Sequence, residues 1–175
     1  MRRPHERSAM KRLILVRHAK SSWDEPGIPD KDRPLNARGR EAAKKVGRWL
    51  DKQKLTPDEV ICSSAQRCQE TWDRMAPALK TDAKIRIEDQ LYLADEHEIL
   101  TVLKTASGDN VMIIAHMPGI GDFAREMRRD PPPQHEVFGK YPTGAVTVLD
   151  FNTDDWSTLL PGTGVVHSYI TPREL

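Results

Sequence analysis

Only two cysteines, Cys62 and Cys68, occur among the 175 residues, and their spacing matches no metal-ligand pattern. A disulfide framework is therefore not expected. Both thiols fall within strand-like or helical apolar patterns and read as reduced core residues of a cytoplasmic protein. Neither sign of charge is in excess: 27 Lys and Arg against 26 Asp and Glu leave a net charge of +1. No general attraction to nucleic acid is expected, and any basic pocket must be local. No apolar run approaches membrane-spanning length. Met1 to Ala9 is basic but is followed by only a short hydrophobic stretch, which reads as a disordered extension rather than a signal peptide. Missing too are the G-x-x-x-x-G-K-[ST] loop and the G-x-G-x-x-G turn, so nucleotide binding of those types lacks its backbone cradle. The histidines never take H-E-x-x-H spacing, which leaves zinc catalysis only scattered single residues as ligands.

What is present is a recurring pattern of short apolar runs that stop at a chemically capable side chain. Leu13-Ile14-Leu15-Val16 fits a buried strand of a parallel sheet and ends at Arg17-His18. Ligands of open α/β sheets gather at the carboxyl ends of strands. An imidazole nitrogen can attack phosphorus and hold it covalently, and the planar guanidinium fork suits phosphate oxygens. A second run, Glu59 to Ser63, leads into a helix, with Ser63 and Gln66 at the spacing of a capping box. Its apolar stripe is Ala65, Cys68, Trp72, Met75, Ala76 and Leu79, and Arg67 lies in the first turn, off that stripe. A third run, Val111 to Ala115, stops at His116, and Pro118 suits the first position of a following helix. That helix start would aim amide hydrogens and a positive dipole end toward the strand mouth. Three strand ends thus deliver His18, Arg67 and His116.

These residues, together with Asp32-Arg33-Pro34-Leu35-Asn36-Ala37-Arg38-Gly39 and Tyr141-Pro142-Thr143-Gly144-Ala145, make the chain from about Met10 to about Phe151 resemble the histidine phosphatase superfamily. The likeness is to its small SixA-like phosphohistidine phosphatase branch. It implies a phosphoglycerate mutase-like fold, with His18 becoming phosphorylated and Arg17, Arg33, Arg67 and His116 around the phosphoryl group. It also implies that no metal or organic cofactor takes part. Ala19 stands where the wider superfamily usually has glycine; alanine still allows close backbone approach but lacks glycine's access to positive φ. The substrate implied is a phosphohistidine on a protein. The alternatives are a small-molecule phosphomonoesterase or mutase of the same superfamily, and a phosphohistidine-binding module without turnover. Neither nucleic acid nor membrane is an expected partner, and a monomer is expected. No general acid is assigned: Asp95, Glu96 and Glu98 precede the apolar-periodic run Ile99, Leu100, Val102 and Leu103, and read as helix-entry charges.

The length fits one domain, residues 10–175, able to bury a core. Asn36 caps a helix whose face is Ala42, Ala43, Val46, Trp49 and Leu50. Leu55 to Asp58 turns into the second strand, Lys84 to Glu88 alternates as a strand, and His97 to Thr105 is helical. Asp130 to Gln134 breaks the helix begun after Pro118. Ala145 to Phe151 and Trp156 to Leu160 read as a closing hairpin. This alternation predicts a three-layer α/β/α sandwich with a mainly parallel sheet and an antiparallel edge. His5 reads as a tail residue, His97 as a polar helix residue and His135 as a loop residue, and His167 has no motif to give it a role.

Overall fold

A computed structural model describes residues 10–130 and 140–175. The expected extension at residues 1–9, with His5, and the loop reading of His135 lie outside the described residues. Six strands, β1 (Met10–Arg17), β2 (Glu59–Ser63), β3 (Lys84–Glu88), β4 (Asn110–Ala115), β5 (Val146–Asn152) and β6 (Val165–Ile170), form one sheet in the order β3-β2-β4-β1-β5-β6. From β3 to β1 the pairings are parallel, while β5 and β6 add an antiparallel edge. Among the described residues four α-helices, α1 (Ala37–Lys52), α2 (Gln66–Leu79), α3 (Glu96–Leu103) and α4 (Gly119–Met127), cover it.

Both faces of β1 are buried, which is why it reads as a continuous apolar run. Leu13 and Leu15 point into a core with Ile99, Leu103, Phe123 and Met127 of α3 and α4. Ile14 and Val16 point the opposite way, into a second core with Val46, Leu50, Trp72 and Met75 of α1 and α2. The three layers follow from that alternation. At roughly 1.5–3 kcal/mol per buried aliphatic side chain, these four residues alone supply on the order of 6–12 kcal/mol of favourable burial. Asn36 caps α1 as expected, its side chain accepting from the Gly39 amide at 2.8 Å. Asp95 and Glu98 form a reciprocal capping box on α3, so their charges serve helix entry. Cys62 and Cys68 are buried and free, and burial raises both thiols above their ordinary pKa.

Several expectations are corrected. Ser63 does not cap α2: the cap residue is Ala65, with no side-chain bond, and Ser63 is the last residue of β2. Its hydroxyl is occupied by His116 instead. Trp156 to Leu160 is not a strand. Trp156–Thr158 forms a 3-10 turn, and the indole is buried with its Nε1 donating to the Gly108 carbonyl at 2.7 Å. Its ring packs against Phe151, and this burial outweighs the strand pattern. The partner of β5 is β6, from the C-terminal segment. Pro118 is the cap residue of α4, one place before the first helical position. The Ile120 amide of that helix start is taken by the His116 carbonyl at 2.9 Å and so is not offered to an anion. His97 is exposed on α3, and His167 lies in β6 beside Ser168.

Where α1 crosses α2, Gly47 is pressed against backbone: a Cβ there would sit 2.6 Å from the Met75 carbonyl oxygen. Backbone atoms cannot swing aside as a side chain would. Gly47→Ala should therefore destabilise the protein by about 1–3 kcal/mol in denaturant titration, despite alanine's better helix propensity. A midpoint equal to the wild type would show that the two helices separate freely at this crossing.

Candidate active site

Strands β1 and β4 are parallel neighbours, and Arg17 lies opposite Ala115 in their register. The next residue of each is therefore a histidine at the same edge of the sheet. His18 and His116 have ring centroids 5.4 Å apart at an interplanar angle of 58°. On the other side of β4, β2 ends at Ser63, and the first turn of α2 carries Arg67 to the same place. Arg67 is only 3% exposed, which corrects the reading that placed it off the buried face. Arg33 arrives from the 3-10 turn Asp30–Asp32 and is extended before Pro34, as that sequence requires. Arg17, His18, Arg33, Arg67 and His116 all line one pocket of about 270 Å³.

The His18 ring is fixed by its immediate neighbour. Its Nδ1 lies 2.7 Å from the Ala19 carbonyl oxygen, which can only accept, so Nδ1 carries the proton and Nε2 keeps its lone pair. Burial, and then the charges of Arg67, Arg17 and Arg33, lower its pKa to about 4 against the opposing pull of that carbonyl. The imidazole is neutral at pH 7. Ala19 itself does not adopt positive φ, so the position makes no demand for glycine. Its amide donates to Thr71 Oγ1 at 2.9 Å, and Thr71 donates to the Arg67 carbonyl at 2.6 Å, tying the end of β1 to the start of α2.

His116 is lowered further, to about 3, by burial, then by His18 and Arg67. Its Nε2 lies 2.8 Å from Ser63 Oγ, and Ser63 also accepts from the Ala65 amide at 3.2 Å. Arg67 Nη2 lies 3.4 Å from His116 Nδ1.

Each guanidinium is anchored through part of its fork. Arg17 Nη1 donates to the Tyr141 carbonyl at 2.9 Å. Tyr141 presents that oxygen from φ +45°, a strained conformation for a bulky side chain, secured by complete burial and a 2.7 Å bond between its phenol and Thr147 Oγ1. Arg67 donates from Nη1 to the Asp30 carbonyl at 2.8 Å and from Nη2 to Asp30 Oδ2 at 3.0 Å. Arg33 donates from Nε to Asp30 Oδ1 at 3.1 Å and from Nη1 to Ser21 Oγ at 2.8 Å. The Trp23 ring lies over the Arg33 guanidinium, 3.6 Å to its centroid. Tyr92 completes the set by donating its hydroxyl to Asp30 Oδ2 at 2.6 Å. The Tyr92 bond first, and then Arg67 and Arg33, hold the Asp30 carboxyl down at about 2. Nε of Arg17 and Nε of Arg67 are buried with no hydrogen-bond partner among the described residues.

Asp30, Tyr92 and Trp23 were not singled out from the sequence. Asp30 stands three residues before Arg33, a spacing that allows a local ion pair but says nothing of Arg67, 37 positions away. Asp95, Glu96 and Glu98 do not line the pocket. Among the described residues no three His, Cys, Asp or Glu side chains are arranged to hold a metal ion, and no helix is long and apolar enough to cross a membrane. The arrangement suits a tetrahedral oxyanion: three cationic forks and an imidazole surround a neutral, nucleophilic ring nitrogen.

Comparison with known proteins bears on this geometry. The model of the histidine phosphatase superfamily (branch 1) matches residues 13–92. An uncharacterized protein of Mycobacterium tuberculosis is 30% identical over 165 residues, covering 90% of this chain and 100% of that one. The phosphohistidine phosphatase SixA of Escherichia coli is 22% identical over 119 residues, 66% of this chain and 73% of that protein. A SixA-type structure from Nakamurella multipartitia has a TM-score of 0.77 at 27% identity, covering 93% of this chain and 96% of that one. The structure of SixA complexed with tungstate has a TM-score of 0.76 at 20% identity over 93% and 98% of the two chains.

Both histidines have folded-state pKa values below their ordinary 6.5, so the unfolded chain binds more protons between that pH and about 4. Stability therefore rises with pH across this window and is lost as pH falls. The melting temperature should drop between pH 6.5 and 4, and less so in His18→Asn/His116→Asn. Parallel pH slopes for the two proteins would contradict the buried, neutral imidazoles.

Proposed function

The chain belongs to the histidine phosphatase superfamily as a SixA-like phosphatase, and from that premise we propose that it removes phosphate from phosphohistidine in a protein, with His18 as nucleophile. The domain that carries the reaction is residues 10–175. In the first step the Nε2 lone pair forms a bond to phosphorus while the P–N bond of the substrate breaks, its electrons returning to the leaving imidazole. In the second, water attacks the same phosphorus, the P–Nε2 bond breaks, and phosphate leaves. Arg17, Arg33 and Arg67 meet the charge spread over the transferring oxygens. The N–H donors that the anchoring bonds of Arg17, Arg33 and Arg67 leave unused serve that purpose. His116 directs Nδ1–H at another oxygen when Ser63 donates its hydroxyl to Nε2 and Arg67 Nη2, which can only donate, turns from Nδ1 to the phosphoryl group.

One observation carries the choice of leaving group. Among the described residues no carboxylate lines the pocket, and the one that binds its arginines from behind, Asp30, is saturated by Tyr92, Arg67 and Arg33 and held ionised near pKa 2, so it has no proton to give at neutral pH. An alkoxide leaving from a phosphomonoester needs such a proton. An imidazole leaving from phosphohistidine can carry its own on the other ring nitrogen. A small-molecule phosphomonoesterase is the second reading, and it rests on the superfamily as a whole.

His18→Ala should abolish turnover and the acid-labile phosphoenzyme trapped in rapid quench, while the far-UV spectrum is retained, because the core does not depend on this ring. Full activity in that variant would refute the nucleophile. Arg67→Ala should lower kcat/KM by about 100-fold or more, as loss of a charge-stabilising donor does elsewhere. Turnover of a histidine-phosphorylated protein should exceed that of sugar phosphates under identical conditions. The reverse ranking would transfer the assignment to the second reading.

A further inference from the structure

Beside the phosphate pocket lies a second, wider cleft of about 620 Å³ lined by Lys20, Arg38, Glu41, Lys45, Thr143 and Arg173. Lys20 and Thr143 belong to both, so the two are continuous. Glu41, the one carboxylate of the six, is paired with Lys44 at 3.3 Å. None of the four cations has an ion-pair partner among the described residues. Set against a net charge of +1 for the chain, this is a concentration of unneutralised positive charge.

The cleft has a defined frame. Arg38 and Lys45 are seven residues apart on α1, on one face and about 10 Å apart along the axis. The opposite wall is the 3-10 turn Pro172–Glu174. Thr171 anchors that turn: it is buried, and its hydroxyl donates to Glu174 at 3.1 Å. Gly144, at φ +77°, lets Pro172 approach so closely that a Cβ would meet its ring at 2.6 Å. The C-terminal segment is thereby pressed against the loop bearing Thr143, with Arg173 at the cleft.

We propose that this cleft docks the acidic surface flanking the phosphohistidine of a protein substrate, an inference that rests on the function proposed above. The cations are exposed, long and spread over about two helical turns. That spacing fits several separated carboxylates better than one compact phosphate. Exposed ion pairs are individually weak, and four acting together are expected to change affinity about tenfold and mainly at low salt.

Two synthetic phosphohistidine peptides test this, one flanked by glutamates and one by glutamines. The wild type should show kcat/KM about tenfold higher for the glutamate peptide at low salt, with the difference shrinking as salt rises. Arg38→Glu/Lys45→Glu should erase that preference and leave the glutamine peptide unaffected. Arg38→Gln/Lys45→Gln should do so partially, which guards against misfolding of the double reversal. Equal kcat/KM for both peptides in the wild type would overturn the docking site. If neither peptide is cleaved, the proposed substrate class fails, and titration calorimetry with the unphosphorylated glutamate peptide decides the cleft by itself. Binding to the wild type about tenfold tighter than to the reversed variant sustains it, and equal binding overturns it.

Discussion

Three guanidinium ions crowd around two uncharged imidazoles, and every other feature of this site answers that repulsion. Arg17 has its pKa lowered by burial and by Arg67. The fold relieves the repulsion with one carboxylate. Asp30 takes Arg33 on one oxygen and Arg67 on the other, and Tyr92 supplies a third, neutral bond. Three positive charges against one negative leave the pocket electropositive, which is the condition for holding a phosphoryl group. Burial first, and then that same field, keeps both histidines unprotonated, so one buried, electropositive pocket supplies both the anion site and a neutral nucleophilic nitrogen.

Sheet topology decides which residues share that field. Parallel register between β1 and β4 places residues 17 and 115 opposite each other, and so brings together two histidines 98 positions apart in the chain. The antiparallel addition of β5 begins at Val146 beside Val16, which puts the Tyr141 to Ala145 loop over Arg17. A slip of one residue in either pairing would exchange Leu13 and Leu15 with Ile14 and Val16 between the two cores, misfitting both, and would move His18 out of level with His116. The buried alternation on both faces of β1 therefore fixes the placement of His18 more firmly than any contact made by His18 itself.

The apolar runs of β1, β2 and β4 and the residues that follow them were legible in the sequence because buried parallel strands leave a continuous hydrophobic signature. His18, Arg67 and His116 sit where those signatures stop. Asp30, Tyr92 and the role of Ser63 were not legible, because each acts through a partner distant in the chain. Ser63 shows the difficulty: its spacing to Gln66 suits a helix cap, yet a buried imidazole nitrogen is the stronger claimant for its hydroxyl. Trp156 misled for a related reason. Its aromatic, strand-like surroundings conceal a core contact with Phe151 and the Gly108 carbonyl, while the true edge strand β6 is half exposed and carries a weak pattern.

Anchoring each arginine by only part of its fork is costly in the folded protein. A buried N–H without a partner costs roughly 1–3 kcal/mol, more for a charged group, and Arg17 and Arg67 each hold one. Satisfying those atoms internally would be the stabler solution, and a core lined on both faces of β1 can absorb the difference. What the arrangement gains is rigidity: Tyr141, Asp30 and Ser21 already hold the guanidinium planes in place. Donors held in advance need no reorganisation as charge develops on the phosphoryl oxygens, so their full strength falls on the transition state. The strained Tyr141 backbone belongs to the same economy, since its carbonyl sets the direction of the Arg17 fork at the mouth of the strand that carries His18.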